Sequence, residues 1–264
     1  MKVEYTKFLT SGNWQDFRIA LNERADNLLV ESPSRKQKMI LERIETNPDS
    51  FLGLQDYILL TEMAALTRKL WASNATLNIY FFGGHDSRTD KVFNIASEWT
   101  NYCNIKFKQV DQIDESQVRI SFSEPGSWSY IGTDSIGIPK NKPTVNFGWL
   151  NVGLPESEYR QVVLHEFGHV LGLIHEHQNP STSIKWNKSI VYWFCKFYFG
   201  WSNQETDNNI IQEFEKTQTK YTSVDKDSIM AYTIPPEFTM DGTTFPTNYE
   251  LSKLDKQFIG EIYK

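Results

Sequence analysis

Four of the chain's five histidines fall between His165 and His177. Three of them stand in the run His165-Glu166-Phe167-Gly168-His169-Val170-Leu171-Gly172-Leu173-Ile174-His175. Four residues is about one helical turn, so the imidazoles of His165 and His169 project from one face and can share a metal ion. Gly172 suits a sharp helix exit, since glycine alone tolerates positive φ freely. That turn brings His175 back as a third nitrogen ligand. Three imidazoles suit Zn²⁺ and leave a coordination position for water, the pattern of a catalytic site. Glu166 is not needed as a ligand and can act as general base on that water. A bare His-Glu-x-x-His arises by chance in unrelated chains. The longer form fixes five positions over eleven residues, which a cluster of core histidines does not explain. His177 is expected at the surface or behind the ligands, and His85, after Gly83-Gly84, in a solvated turn.

A second run, Asp227-Ser228-Ile229-Met230-Ala231-Tyr232, is spaced to let the chain return beneath the metal. Met230 would then form an apolar floor. A methionine in such a run is by itself ordinary core; its pairing with the histidine motif gives it the structural role.

These side chains need a helix from about Ser157 to Leu173, with Ser157 as its N-cap. The sheet that would carry it begins with alternating Leu77, Ile79 and Phe81, ended by Gly83-Gly84. A helix follows, with Val92, Phe93, Ile95, Ala96 and Trp99 on one face. Strands are expected at 105–110, 118–122 and 144–147, with a Gly/Ser/Trp-rich segment between the last two. The order β-α-β-β-β-β-α predicts an α+β fold: a twisted mixed sheet with helices on it, followed by a less regular lobe. The aromatics between Trp186 and Trp201 predict a packed segment there. Before residue 70 the chain reads as helical, with apolar runs such as Trp14, Phe17, Ala20 and Leu21, or Leu59, Leu60, Met63 and Ala64. Ser32-Pro33-Ser34 and Asn47-Pro48-Asp49 break these runs. The expected organisation is an N-terminal helical extension over 1–65 and one domain over 66–264.

With 39% hydrophobic and 23% charged residues, the chain can bury a core without disulfide staples. A net charge of -6 argues against nucleic acid or an anionic membrane as the main partner. No apolar run reaches membrane-spanning length, and the N-terminus has none of signal-peptide length. Cys103 and Cys195 can pair or stay free, and their spacing leaves the compartment open.

At these residues the sequence resembles the metzincin metallopeptidases, and among them the astacin-like branch. Glu176 directly follows the third histidine. Ser228-Ile229-Met230-x-Tyr232 has the branch's form of Met-turn. Gly126-Ser127-Trp128-Ser129-Tyr130-Ile131-Gly132 is similar to its edge-strand segment, and Leu251-Ser252-Lys253-Leu254-Asp255 to the start of its C-terminal helix. The resemblance covers residues 70–264. It implies a metzincin-type catalytic domain with one Zn²⁺ and protein or peptide substrates. Substrate would lie extended along Trp128, Ser129, Tyr130 and Ile131. Tyr232 would be a fifth zinc contact that swings to support the oxyanion; a buried structural tyrosine is the other reading. Secretion is the compartment the resemblance favours, and a monomer is expected. The chain departs from the family at Ser127, where a cysteine is usual, and the family's disulfides are absent. Residues 179–183 also lack its usual Arg and Asp pattern.

The function expected is therefore a zinc-dependent metalloendopeptidase. Alternatives are a narrow-specificity toxin or effector peptidase, which would lack general caseinolytic activity, and a non-enzymatic zinc-containing binding module, for which Glu166 would be superfluous. Residues 1–65 are expected to be a structural cap or a pro-segment. Phe51-Leu52-Gly53 resembles the start of the astacin pro-segment motif, but Leu54 stands where an aspartate belongs. Glu176 resembles the residue that receives a new N-terminus in processed astacins, which keeps the pro-segment reading open.

Overall fold

The computed structural model describes residues 69–124, 126–148, 150, 153–179, 181–213 and 224–264. The expected N-terminal extension lies outside them. The described residues belong to two compact units: a larger one ending at Thr182 and resuming at Glu213, over 224–231 and over Asn248–Lys264, and a smaller one of Ser183–Gln212 with Tyr232–Thr247.

The larger unit is built on strands β1 (Thr76–Phe81), β2 (Lys106–Gln109), β3 (Val118–Ser121), β4 (Ser127–Ser129) and β5 (Val145–Phe147). Their order in the sheet is β2-β1-β3-β5-β4. All pairs are parallel except β4 with β5, which register Trp128 against Asn146. The alternation of Leu77, Ile79 and Phe81 does what it predicts, burying all three. Helix α1 (Ser87–Ala96) connects β1 to β2 as the crossover a parallel pair requires, and is started by Asp86, whose side chain caps Arg88 and Thr89. Its Val92, Ile95 and Ala96 join Trp99 in the core, where the Trp99 indole donates to Leu164 O at 2.9 Å.

Helix α2 (Glu156–Val170) carries the histidines. It begins one residue before the expected start. Pro155 stands at its N-cap without a side-chain bond, so Ser157 is already inside the first turn and caps nothing. A proline has the backbone angle to enter a helix but not to continue one, so the helix starts directly behind it. From Val162 to Val170 every residue is buried, so this helix runs through the core rather than over it.

The C-terminal end of α2 is held by residues far away in sequence. Trp71 Nε1–H donates to Val170 O at 2.7 Å, and Tyr263 O–H donates to Leu171 O at 2.7 Å. Both satisfy carbonyls that a helix end leaves without partners.

The smaller unit contains α3 (Lys188–Phe199), a regular helix where the sequence reading expected less regular structure. Val191, Phe194, Cys195 and Phe199 are buried at helical spacing. Trp193 and Phe197, stacked on each other outside that stripe, blur the pattern, because aromatics on both faces leave little contrast. Helix α4 (Lys253–Ile262) closes the chain in the larger unit. No helix among the described residues is long and apolar enough to cross a membrane.

Candidate metal centre

Helix α2 and its exit bring His165, His169 and His175 together, as their spacing predicts. One nitrogen from each lies within 4.8 Å of the others, and all three side chains are buried. Gly172 has φ +90°, the left-handed conformation expected of it. Gly172 N–H donates to His169 O at 2.8 Å and Leu173 N–H to Gly168 O at 2.9 Å, the paired bonds of a glycine-terminated helix. The chain reverses there and returns His175 to the other two rings.

The outward nitrogens decide what the inward ones can do. His165 Nδ1 faces Ile229 O at 2.8 Å, and His169 Nδ1 faces Leu173 O at 2.8 Å. A carbonyl only accepts, so both Nδ1 atoms carry the proton and both Nε2 atoms carry a lone pair. His175 Nδ1 has Gln178 Oε1 at 3.3 Å, which places its lone pair at Nε2 as well. The Nε2 atoms of His169 and His175 are 3.1 Å apart. Two lone pairs at that distance repel unless a cation lies between them. A tetrahedral zinc with Zn–N of ~2.0–2.1 Å sets its nitrogens about 3.3 Å apart, so the cluster suits one catalytic zinc ion. Burial, followed by the neighbouring imidazoles, holds His169 well below the ordinary histidine value, and burial holds His175 down at about 4. Both are neutral at neutral pH, as a metal ligand must be.

Met230 is buried, and a Cβ at Gly168 would collide with its sulfur, so the Met-turn lies directly under α2 between the first two histidines. The turn is tied on both sides. Glu176 N–H donates to Met230 O at 3.0 Å. Ser228 Oγ–H and Ile229 N–H donate to the two carboxylate oxygens of Asp255, at 2.6 and 2.8 Å. The Glu176 carboxylate accepts Asn179 Nδ2–H and Asp225 N–H, both at 2.9 Å. Burial nonetheless pushes its pKa up to about 7.

Glu166 is buried on α2 beside His165. Tyr232, two residues beyond Met230 in the chain, is buried and belongs to the smaller unit. Among the described residues β4 pairs only with β5, which makes it an edge strand; Trp128, Ser129 and Tyr130 are buried and Ile131 is half-buried. His177 is not at the surface: it is fully buried, its ring parallel to that of His175 with centroids 5.2 Å apart. The short 3₁₀ turn Glu176–Gln178 carries it back beside His175. His85 is exposed and pairs with Asp111 at 3.1 Å. Cys103 and Cys195 are free thiols.

Sequence reading missed Gly168, Ser228 and Asp255 as parts of the site. Ser228 lies in the run read as the Met-turn and Asp255 in a capping box, Ser252-x-x-Asp255, that α4 does form, but neither pattern says that the two side chains meet.

A family model described as Astacin, a peptidase family, matches residues 63–264. Two solved structures of myroilysin are similar to this chain. One aligns at 39% identity with a TM-score of 0.71, covering 74% of this chain and 96% of the other. The second aligns at 38% identity with a TM-score of 0.58, covering 74% and 86%. High choriolytic enzyme 1, a hatching enzyme zinc-protease from Oryzias latipes (medaka fish), shares the fold at 16% identity and a TM-score of 0.50, covering 75% of this chain and 95% of its own. No curated protein matches.

Proposed function

The chain belongs to the astacin family and is a zinc metalloendopeptidase, and we propose that Nε2 of His165, His169 and His175 hold its zinc while Glu166 serves as general base. The observation that carries this reading is the convergence of three neutral imidazoles whose Nδ1 atoms are all engaged elsewhere. Zinc, when bound there, acts as a Lewis acid toward the scissile carbonyl and acidifies a water. Glu166 takes a proton from the attacking water on a carboxylate oxygen and passes it to the leaving amine. Tyr232 offers its phenol hydrogen to the oxyanion. Substrate adds as one more strand beside residues 128–131, along the edge of β4 opposite β5. The tethering of His165 and His169 to backbone carbonyls keeps both rings from turning when substrate arrives.

The test combines metal analysis with Glu166→Gln. Protein purified without added metal should contain about one zinc per chain. Glu166→Gln should keep that zinc and the fold while peptide hydrolysis falls roughly 10²- to 10⁴-fold, the usual contribution of a positioned acid–base group. Turnover near the parent rate in Glu166→Gln would remove Glu166 from the mechanism.

A further inference from the structure

Hydrogen bonds leave the metal centre through the Met-turn and end on one buried carboxylate. His165 Nδ1–H donates to Ile229 O at 2.8 Å. That carbonyl belongs to the same peptide group as Met230 N–H, which donates to Ser228 Oγ at 3.0 Å. Ser228 Oγ–H donates in turn to Asp255 Oδ1 at 2.6 Å. Every link points the same way: imidazole, peptide group, hydroxyl, carboxylate. His165, Ser228, Ile229, Met230 and Asp255 are all buried, so water does not interrupt the chain of bonds. Asp255 Oδ2 accepts Ile229 N–H at 2.8 Å and Ser252 N–H at 2.9 Å. Three donors converge on it and favour the ionised, acceptor-only form against its burial, which raises the pKa.

We propose that Asp255 is a positioning residue of the zinc site, acting on His165 through Ser228 and the Ile229–Met230 peptide group. The inference rests on His165 being a zinc ligand. A carboxylate bonded directly to a metal-bound imidazole orients the ring and raises its basicity. Here the carboxylate works at two removes. Its charge polarises the Ser228 hydroxyl and makes Oγ a better acceptor for Met230 N–H. Pulling on that N–H shifts amide electron density onto Ile229 O. The carbonyl then holds His165 Nδ1–H more strongly, and Nε2 becomes the better donor to a metal. In a low-dielectric interior such chains strengthen each bond by roughly 10–30%. His169 and His175 are outside this relay, since their Nδ1 atoms go to Leu173 O and Gln178 Oε1. The competing account is that Asp255 only caps α4 and staples the Met-turn in place.

The two accounts separate in the zinc-loaded full chain. Three variants are compared with the parent: Ser228→Ala, which cuts the relay; Asp255→Asn, which keeps an oxygen but removes the charge; and Ser252→Ala, which removes the cap on Asp255 N–H and the Ser252 Oγ–H bond to Asp225 and leaves the relay intact. The readouts are the imidazole Nδ1–H resonances and zinc affinity measured by competition with a chelator. Ser228→Ala and Asp255→Asn should both move the His165 Nδ1–H signal upfield and leave that of His169 in place. Zinc affinity should fall about three- to tenfold, less than the 10- to 100-fold typical of a direct partner. Ser252→Ala should lower the melting temperature without moving either readout. If Asp255→Asn does not fold, Ser228→Ala carries the test. The proposal is overturned if Ser228→Ala leaves the His165 signal and zinc affinity at parent values, or if Ser252→Ala weakens zinc as much, which is general loosening. His165→Ala is the separate control. A His165→Ala protein that binds zinc as the parent does would sink the ligand assignment itself, and with it the relay.

Discussion

A neutral imidazole has one N–H and one lone pair, so the group bonded to Nδ1 determines what Nε2 can do. In this protein that outer group is a backbone carbonyl for two histidines and a side-chain amide for the third. Neither kind of acceptor shows in a motif. The convergence of the three proposed ligands was legible because its geometry is local: one helical turn and one glycine exit determine it. Asp255 was not, because its bearing on His165 passes through residues 26 to 64 positions apart. Tyr232 stands between these cases. Its place in the Met-turn segment is legible, and its proposed work on the oxyanion is chemical. Tyr232→Phe removes a hydroxyl and little volume. It should lower kcat roughly 10²- to 10³-fold, the effect of losing one oxyanion donor, with a much smaller change in KM. Steady-state kinetics on one peptide check this, and unchanged kcat would return Tyr232 to a structural role.

The elements follow from periodicity wherever one face is apolar and the other polar. β1 and α1 obey that rule, and they appear where the pattern puts them. Helix α3 escaped because apolar side chains occupy two of its faces, and the start of α2 moved because a proline outranks a serine cap. The contact between α2 and the Met-turn is likewise a property of packed elements. Gly168 lies in the last turn of α2 at a helical position, where alanine would ordinarily be favoured by up to about 1 kcal/mol. At this position the added methyl meets Met230 Sδ, with Met230 Cε at 3.1 Å and Trp99 Cζ2 at 3.4 Å leaving little room to yield. Gly168→Ala should therefore destabilise the zinc-loaded protein by about 1–3 kcal/mol, the range for overpacking a core. Met230→Ala should cost about 2–5 kcal/mol alone. Combined, the two should cost clearly less than their sum, because the second removes the atom the first strikes. Denaturant unfolding of the four proteins measures the coupling, and strict additivity would mean that Gly168 and Met230 do not share the space.

For the whole molecule, the question is what residues 1–65 contribute to a catalytic domain proposed to span 66–264. The chain enters that domain through contacts that bear on the metal helix. Lys69 O accepts Thr133 N–H at 2.9 Å, and the Lys69 ammonium pairs with Asp134 at 2.7 Å. Trp71 follows with its bond to Val170 O, and its backbone N–H donates to the Tyr263 hydroxyl at 3.2 Å. A chain starting at Leu66 keeps all of these; one starting at Ala72 loses the Trp71 indole that closes the end of α2 beside His169. The sequence pattern of residues 1–65 leads us to expect segments with apolar faces that need cover, and we propose that packing on the catalytic domain would meet that need. No cysteine precedes Cys103, so a thiol from this region cannot block the metal, and Leu54 removes the aspartate an astacin-type block would use. The chain from Leu66 should therefore hold one zinc like the full chain, melt at a lower temperature, and hydrolyse peptides at a similar rate. The chain from Ala72 should also bind zinc more weakly, since Tyr263 alone then holds the helix end beside His169. Metal analysis, thermal unfolding and a peptide assay on the three lengths decide the matter. A large rise in activity on starting at Leu66, with zinc unchanged, would show instead that residues 1–65 are a pro-segment that blocks the cleft.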